Sequence, residues 1–125
     1  MATLVEKTEA ETFIPLKHVD FLVLLVLMES ERHGYGIVKE IVQRTNGQIR
    51  LEPGNLYRYL RRLEERGLVA EVETRPAPEA DDERRRYYGA TELGRDVLNL
   101  EVGRLRALIE GFDSTGLVPH EDARS

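Results

Sequence analysis

Arginine and asparagine side chains recur along residues 53–67, PGNLYRYLRRLEERG, at a spacing that could bind nucleic acid. On a helix, one face would carry the polar side chains Asn55, Arg58, Arg62 and Glu65, with Arg61 near its edge. The other face would be an apolar ridge of Leu56, Leu60 and Leu63. Arginine contacts guanine in a bidentate fashion or neutralises phosphate, and asparagine pairs with adenine. On charge alone, a solvated face with internal salt bridges explains the same residues equally well.

Two tyrosines flank the apolar ridge of this predicted helix. A tyrosine at such a boundary can bury its ring and present its hydroxyl to a phosphate. We expect Tyr59 to pack against its own domain, and we expect Tyr57 to contact a DNA backbone.

Two strand-like runs follow, residues 68–75 (LVAEVETR) and 84–91 (RRRYYGAT), separated by an acidic loop. A basic helix that leads into a two-stranded ribbon is typical of a winged helix-turn-helix, which lays a helix in the DNA major groove. This order favours the nucleic-acid interpretation of the helix. Arg84, Arg85 and Arg86 begin the second strand, where alternation puts the first and third on one face. The carboxylates of the loop would repel phosphate, and they show no metal-ligand spacing, so we predict a solvated loop.

The remaining pattern predicts a mainly α fold with a small β-ribbon. Residues 16–30 are apolar on nearly every side, which indicates a central buried helix, with a buried strand as the alternative. Helical spacing resumes after the HGYG turn and stops at Asn46–Gly47. Thr91 is the predicted N-cap of a last helix. The predicted organisation is an arm (1–15), a winged helix-turn-helix (16–91), a dimerisation helix (92–112) and a tail (113–125), with both ends flexible.

Apolar residues recur at helical spacing along the last predicted helix. The stripe contains Leu98, Val102, Leu105, Ile109 and Phe112. A single small core does not easily cover a helix about 33 Å long. We therefore predict that the stripe pairs two copies of the chain, in preference to packing on its own domain.

The composition excludes several classes of protein. The chain has 125 residues, 41% hydrophobic and 33% charged, which indicates one globular domain. It has no cysteine, which suits a reducing cytoplasm, and its longest apolar run is too short to cross a bilayer. Its histidines and serines form no metal site or nucleophile elbow, so we predict no catalytic residue, no metal and no cofactor. The net charge is −5, although DNA binding depends on the local field.

Three segments together resemble the PadR family of bacterial transcriptional regulators. They are residues 24–37 (LLVLMESERHGYGI), 51–69 (LEPGNLYRYLRRLEERGLV) and 81–98 (DDERRRYYGATELGRDVL). The resemblance implies a homodimeric repressor that binds an inverted repeat in double-stranded DNA and is released by a small aromatic or drug-like effector. By matching motifs, Tyr35, Pro53, Gly54, Asn55, Tyr57 and the arginines that follow lie where such proteins meet DNA. A winged-helix module that docks an acidic protein is the alternative function, supported by the acidic loop and the negative net charge.

Overall fold

The computed structural model describes residues 7–72 and 86–116. Within these ranges the chain forms four α-helices, one short 3-10 turn and a three-stranded antiparallel sheet. The predicted fold class, mainly α with a small β-ribbon, is confirmed.

Helix α1 (His18–Glu29) is the centre of the domain. Five of its apolar side chains are buried: Leu22, Val23, Leu24, Val26 and Leu27. The predicted helix is correct, and the alternative of a buried strand is wrong. One polar residue, Asp20, is buried with them.

Helices α2 (Gly34–Arg44) and α3 (Pro53–Glu65) form the helix-turn-helix pair. The Nδ1 atom of His33 accepts a hydrogen bond from the Gly36 amide and so caps α2. Asn46 and Gly47 follow α2 with φ angles of 54° and 80°, which confirms the predicted stop. On α3 the leucine ridge is buried, as its spacing predicted: Leu56, Leu60 and Leu63.

The sheet has the order β1–β3–β2. Strands β2 (Val69–Val72) and β3 (Tyr87–Ala90) form the predicted ribbon, with Val69 opposite Ala90 and Val72 opposite Tyr87. Strand β1 (Arg32–His33) was not predicted, because two residues are too few for a periodic pattern. The acidic loop between the ribbon strands lies outside the described residues.

Helix α4 (Glu92–Ser114) starts on the junction between α3 and the ribbon. The Thr91 hydroxyl accepts a hydrogen bond from the Gly94 amide and donates one to the Gly67 carbonyl. The N-cap prediction for Thr91 is therefore confirmed. The helix ends two residues later than the sequence indicated, so Asp113 and Ser114 belong to α4 and not to a flexible tail.

The prediction of a flexible arm is wrong for residues 7–15. A 3-10 turn (Ala10–Phe13) packs against α4 and buries Ala10, and Phe13 lies under the Arg66 guanidinium at 5.0 Å. The Leu16 amide donates to Glu101 Oε2 at 3.1 Å. Packing with distant residues therefore orders this segment, which has little helical pattern of its own. Residues 1–6 lie outside the described part of the chain.

Candidate nucleic-acid interface

The exposed face of α3 begins at its N-terminus. Four of the predicted site residues lie together there with their side chains or backbone exposed: Pro53, Gly54, Asn55 and Arg58. Arg61 is exposed one turn after Arg58. The Nη2 atom of Arg58 donates to Asn55 Oδ1 at 2.8 Å, which joins two candidate base-reading groups. Among the described residues no ion pair joins Arg58 to Glu65, so the internally salt-bridged alternative does not apply to Arg58, although it does apply to Arg62, which pairs with a carboxylate of its own chain.

Arg62 has surroundings that the helical wheel did not predict. The wheel placed it on the open face, but the structure turns its guanidinium towards α1, where Nη2 lies 2.6 Å from Oδ1 of the buried Asp20. The expectation of a fully outward Arg62 is therefore wrong. A long side chain can bend back to a carboxylate on another helix, and a wheel records only the direction of Cβ.

Asp20 is a residue that our sequence reasoning missed. It lies in the first turn of α1, ahead of a long apolar run, and the other acidic residue of that helix, Glu29, is its exposed last residue. A carboxylate in such a position needs a partner, because an unpaired buried charge costs several kcal/mol. That isolated acid was the available signal for a buried ion pair.

The two tyrosines that flank the ridge differ in exposure, and the predicted contact of Tyr57 with DNA stays a prediction. Tyr59 is half-buried, with the Arg62 guanidinium 5.1 Å from its ring centre, and so has the packing role. Tyr57 and Tyr35 are 43% and 69% exposed and border an apolar recess between α2 and α3. A Cβ atom at Gly34 would lie 2.7 Å from the Tyr57 hydroxyl, so this glycine lets the tyrosine cross the start of α2.

Of the three consecutive arginines, only Arg86 belongs to the described residues, and Arg84 and Arg85 lie outside them. Arg86 is exposed, and its Nε atom lies 3.7 Å from Glu71 Oε2 on β2. Burial raises the pKa of the neighbouring Tyr88 hydroxyl, and a hydrogen bond with Arg86 acts in the opposite direction. Arg86 therefore interacts with its own ribbon as well as with solvent.

The residues of the predicted dimerisation stripe differ in how deeply they are buried in their own chain. Leu98 is 2% exposed and belongs to the hydrophobic core of its own chain, together with the buried side chains of α1. Its assignment to a dimer contact is therefore wrong. Val102 and Leu105 are half-buried. Three apolar residues of the distal half stand in solvent: Leu108, Ile109 and Phe112, 50–60% exposed.

The described residues contain neither a metal site nor a membrane span. No group of three possible ligands could hold a metal ion there. None of the described helices is both long and apolar enough to span a bilayer.

The chain is similar to transcriptional regulators of known family. The model of the transcriptional regulator PadR-like family matches residues 23–100. An uncharacterised protein of Lysinibacillus sphaericus is 33% identical over 82 residues, which cover 66% of this chain and 72% of that protein.

Solved structures show the same fold. A PadR family transcription regulator from Clostridium difficile R20291 has 25% sequence identity and a TM-score of 0.64, over 79% of this chain and 98% of that one. Bacillus subtilis PadR, solved in complex with operator DNA, has 19% identity and a TM-score of 0.56, over 68% of this chain and 46% of that one.

Proposed function

Because the chain belongs to the PadR-like family of transcriptional regulators, which are not enzymes, we propose that it represses transcription as a homodimer bound to an inverted-repeat operator. DNA-binding regulation is the function of the family. The exposed face of α3, with Asn55, Arg58 and Arg61, is the observation that carries the assignment to this chain. Bacillus subtilis PadR, which shares the fold, binds operator DNA. This function places the protein in the cytoplasm.

In the proposed complex α3 enters the major groove with its N-terminal turn leading. The side chain of the N-cap residue Glu52 makes no capping hydrogen bond, so backbone amides of the first turn remain to meet a phosphate. Arg58 and Arg61 supply base or phosphate contacts, and Tyr35 and Tyr57 supply hydroxyls at the rim. Arg84, Arg85 and Arg86 serve as the wing contacts of this proposal.

The proposed dimer positions two α3 helices on the same side. Half-sites are then one helical turn apart, about 34 Å, or a multiple of that distance. The exposed apolar residues of distal α4 provide the contact, together with Val102 and Leu105. Leu98 is left out of this surface because it is already buried.

The proposed effector is a small aromatic or drug-like molecule that binds between the subunits. It lowers operator affinity only if it prefers a subunit arrangement that cannot bind DNA. Titration of aromatic and planar cationic compounds into the preformed complex tests this step. Release of DNA by none of them would remove the effector and leave the DNA-binding proposal intact.

The decisive experiment selects bound sequences from a random DNA pool and then measures affinity for the selected duplex. Arg58→Ala with Arg61→Ala should lower that affinity and flatten its salt dependence by about 0.9 for each phosphate that is no longer neutralised. Lys7→Ala with Lys17→Ala removes the same charge from the exposed N-terminal segment and should leave binding unchanged. Equal binding by both double variants, or no reproducible palindrome, contradicts the proposal. An acidic protein bound in preference to DNA would favour the interaction module.

A further inference from the structure

Asp20 is a buried carboxylate whose described partner lies on another helix. Asp20 is 1% exposed and lies among the buried apolar residues of α1. Oδ1 accepts a hydrogen bond from Arg62 Nη2 at 2.6 Å, across a sequence separation of 42 residues. Oδ2 is buried without a partner in the described structure. Among the described residues, the cation that compensates the Asp20 charge is therefore Arg62, on α3.

Arg62 is held at the inner edge of the exposed face of α3. Its Nε atom is buried without a hydrogen bond among the described residues, and its guanidinium lies on the Tyr59 ring. The side chain nevertheless remains 37% exposed and lines one groove with Arg58 and Arg61. The carboxylate thus lies directly behind a cluster of three arginines.

The ion pair changes how much positive charge this cluster presents. Arg58 bonds only to the neutral Asn55 side chain, and no described carboxylate pairs with Arg61. Arg62 differs because its charge is matched by a carboxylate 2.6 Å away. At the distance of a DNA phosphate the two opposite charges nearly cancel. Salt further screens the weak dipolar field of the pair.

We propose that Asp20 restrains and neutralises Arg62, so that α3 presents two free guanidiniums to DNA instead of three. Each free arginine attracts the phosphates of any duplex, whatever its sequence. Asp20 thereby limits sequence-independent binding, which would otherwise hold the protein at the many sites that compete with the operator. This inference rests on the proposed DNA binding. It makes Asp20 a positioning residue, because the carboxylate acts through Arg62 and does not itself meet DNA.

The test compares the salt dependence of binding to a random duplex. Asp20→Asn preserves the shape of the side chain and an oxygen for Arg62, but it leaves the guanidinium charge unmatched. We expect affinity at low salt to rise several-fold and the slope of log K against log salt to steepen by about 0.9 for each α3 bound. If Asp20 had only a structural role, its replacement would weaken binding without steepening the slope. Asp20→Glu retains the charge and should restore the original slope.

Two further variants separate the possible causes. Asp20→Asn with Arg62→Gln removes both charges and should return the slope to that of the original protein. Asp96→Asn makes the same charge change at an exposed site on α4 and should leave the slope unchanged.

Each outcome is decisive. An unchanged or shallower slope for Asp20→Asn overturns the inference, while binding by the original protein would keep the proposed function. If Asp20→Asn does not fold, the doubly neutral variant decides: an original slope supports the inference, and a slope shallower by about 0.9 shows that Arg62 contacts phosphate. Absence of salt-dependent binding by the original protein would instead defeat the proposed function itself.

Discussion

At the scale of single residues, two glycines of α4 meet opposite surroundings. A Cβ atom at Gly94 would lie 2.1 Å from the Leu68 carbonyl oxygen, whereas one at Gly103 would meet nothing within 4 Å. The Leu68 carbonyl cannot easily withdraw, because it accepts the Thr91 amide at 3.0 Å. The close approach at Gly94 is therefore made within one chain, where α4 meets the start of the ribbon.

We expect Gly94→Ala to destabilise the protein and Gly103→Ala to stabilise it slightly. The first substitution forces the α4 backbone away from the Leu68 carbonyl, which lowers the free energy of unfolding by about 1–3 kcal/mol or more. The second replaces a glycine in an open helix interior, which gains about 0.5–1 kcal/mol. Thermal unfolding of the two variants measures both changes. Equal melting temperatures would show that the α4–ribbon contact can yield.

Residue-level prediction from sequence succeeded for the apolar ridge of α3, and it failed for the buried Leu98 and Asp20 and for one long polar side chain. The spacing of Leu56, Leu60 and Leu63 alone identified the buried ridge of α3. The same wheel misplaced the guanidinium of Arg62, because its partner Asp20 is 42 residues away and only the fold brings the two together. Short-range periodicity carries no information about such a pair.

At the scale of elements, Glu101 joins the N-terminal segment to α4. It is 2% exposed, and its carboxylate accepts two hydrogen bonds from Arg104, at 2.7 and 2.8 Å, as well as the Leu16 amide. The Arg104 hydrogen bonds hold the Glu101 pKa below its ordinary value of 4.5, although burial alone raises it. A depressed folded-state pKa stabilises the native state above the ordinary value, and this contribution disappears as the pH falls through the folded-state pKa.

Glu101→Gln should therefore lower stability at neutral pH and flatten its decline in acid. Removal of the charged hydrogen bonds costs about 1–3 kcal/mol at pH 7. Below pH 4.5 the difference between variant and original should shrink, because the original then loses the same contribution. Denaturant unfolding across pH measures it, with the exposed Glu110→Gln as a control on the same helix. A difference that is constant with pH would show that the Glu101 charge plays no part.

Elements with local signals were predictable, and those made by distant contacts were not. Helix α2 ended at Asn46–Gly47 and helix α4 began after Thr91 because turn and cap residues specify those positions locally. Strand β1 exists because Arg32 pairs with Tyr88, and the 3-10 turn is ordered because it packs on α4. Neither interaction leaves a pattern in its own short segment.

At the scale of the whole molecule, α4 extends beyond the core that supports it. Its 23 residues span about 34 Å, and their buried side chains end at Glu101. The distal half carries Leu108, Ile109 and Phe112 into solvent, where a second copy of the chain would cover them. The proposed spacing of the two α3 helices depends on this pairing.

We expect Ile109→Glu to convert the proposed dimer to a monomer. The substitution places a charge in the middle of the apolar surface, where pairing would bury it without a partner. Ala107→Glu is the matched control, because it adds the same charge two residues away, on the opposite side of α4. Light scattering at micromolar concentration should give the mass of one chain, 14.3 kDa, for the first variant and twice that mass for the control.

The monomer should also bind the operator far more weakly, since one α3 reaches only one half-site. A single-chain mass for the unsubstituted protein, or a dimer that survives Ile109→Glu, contradicts pairing through distal α4.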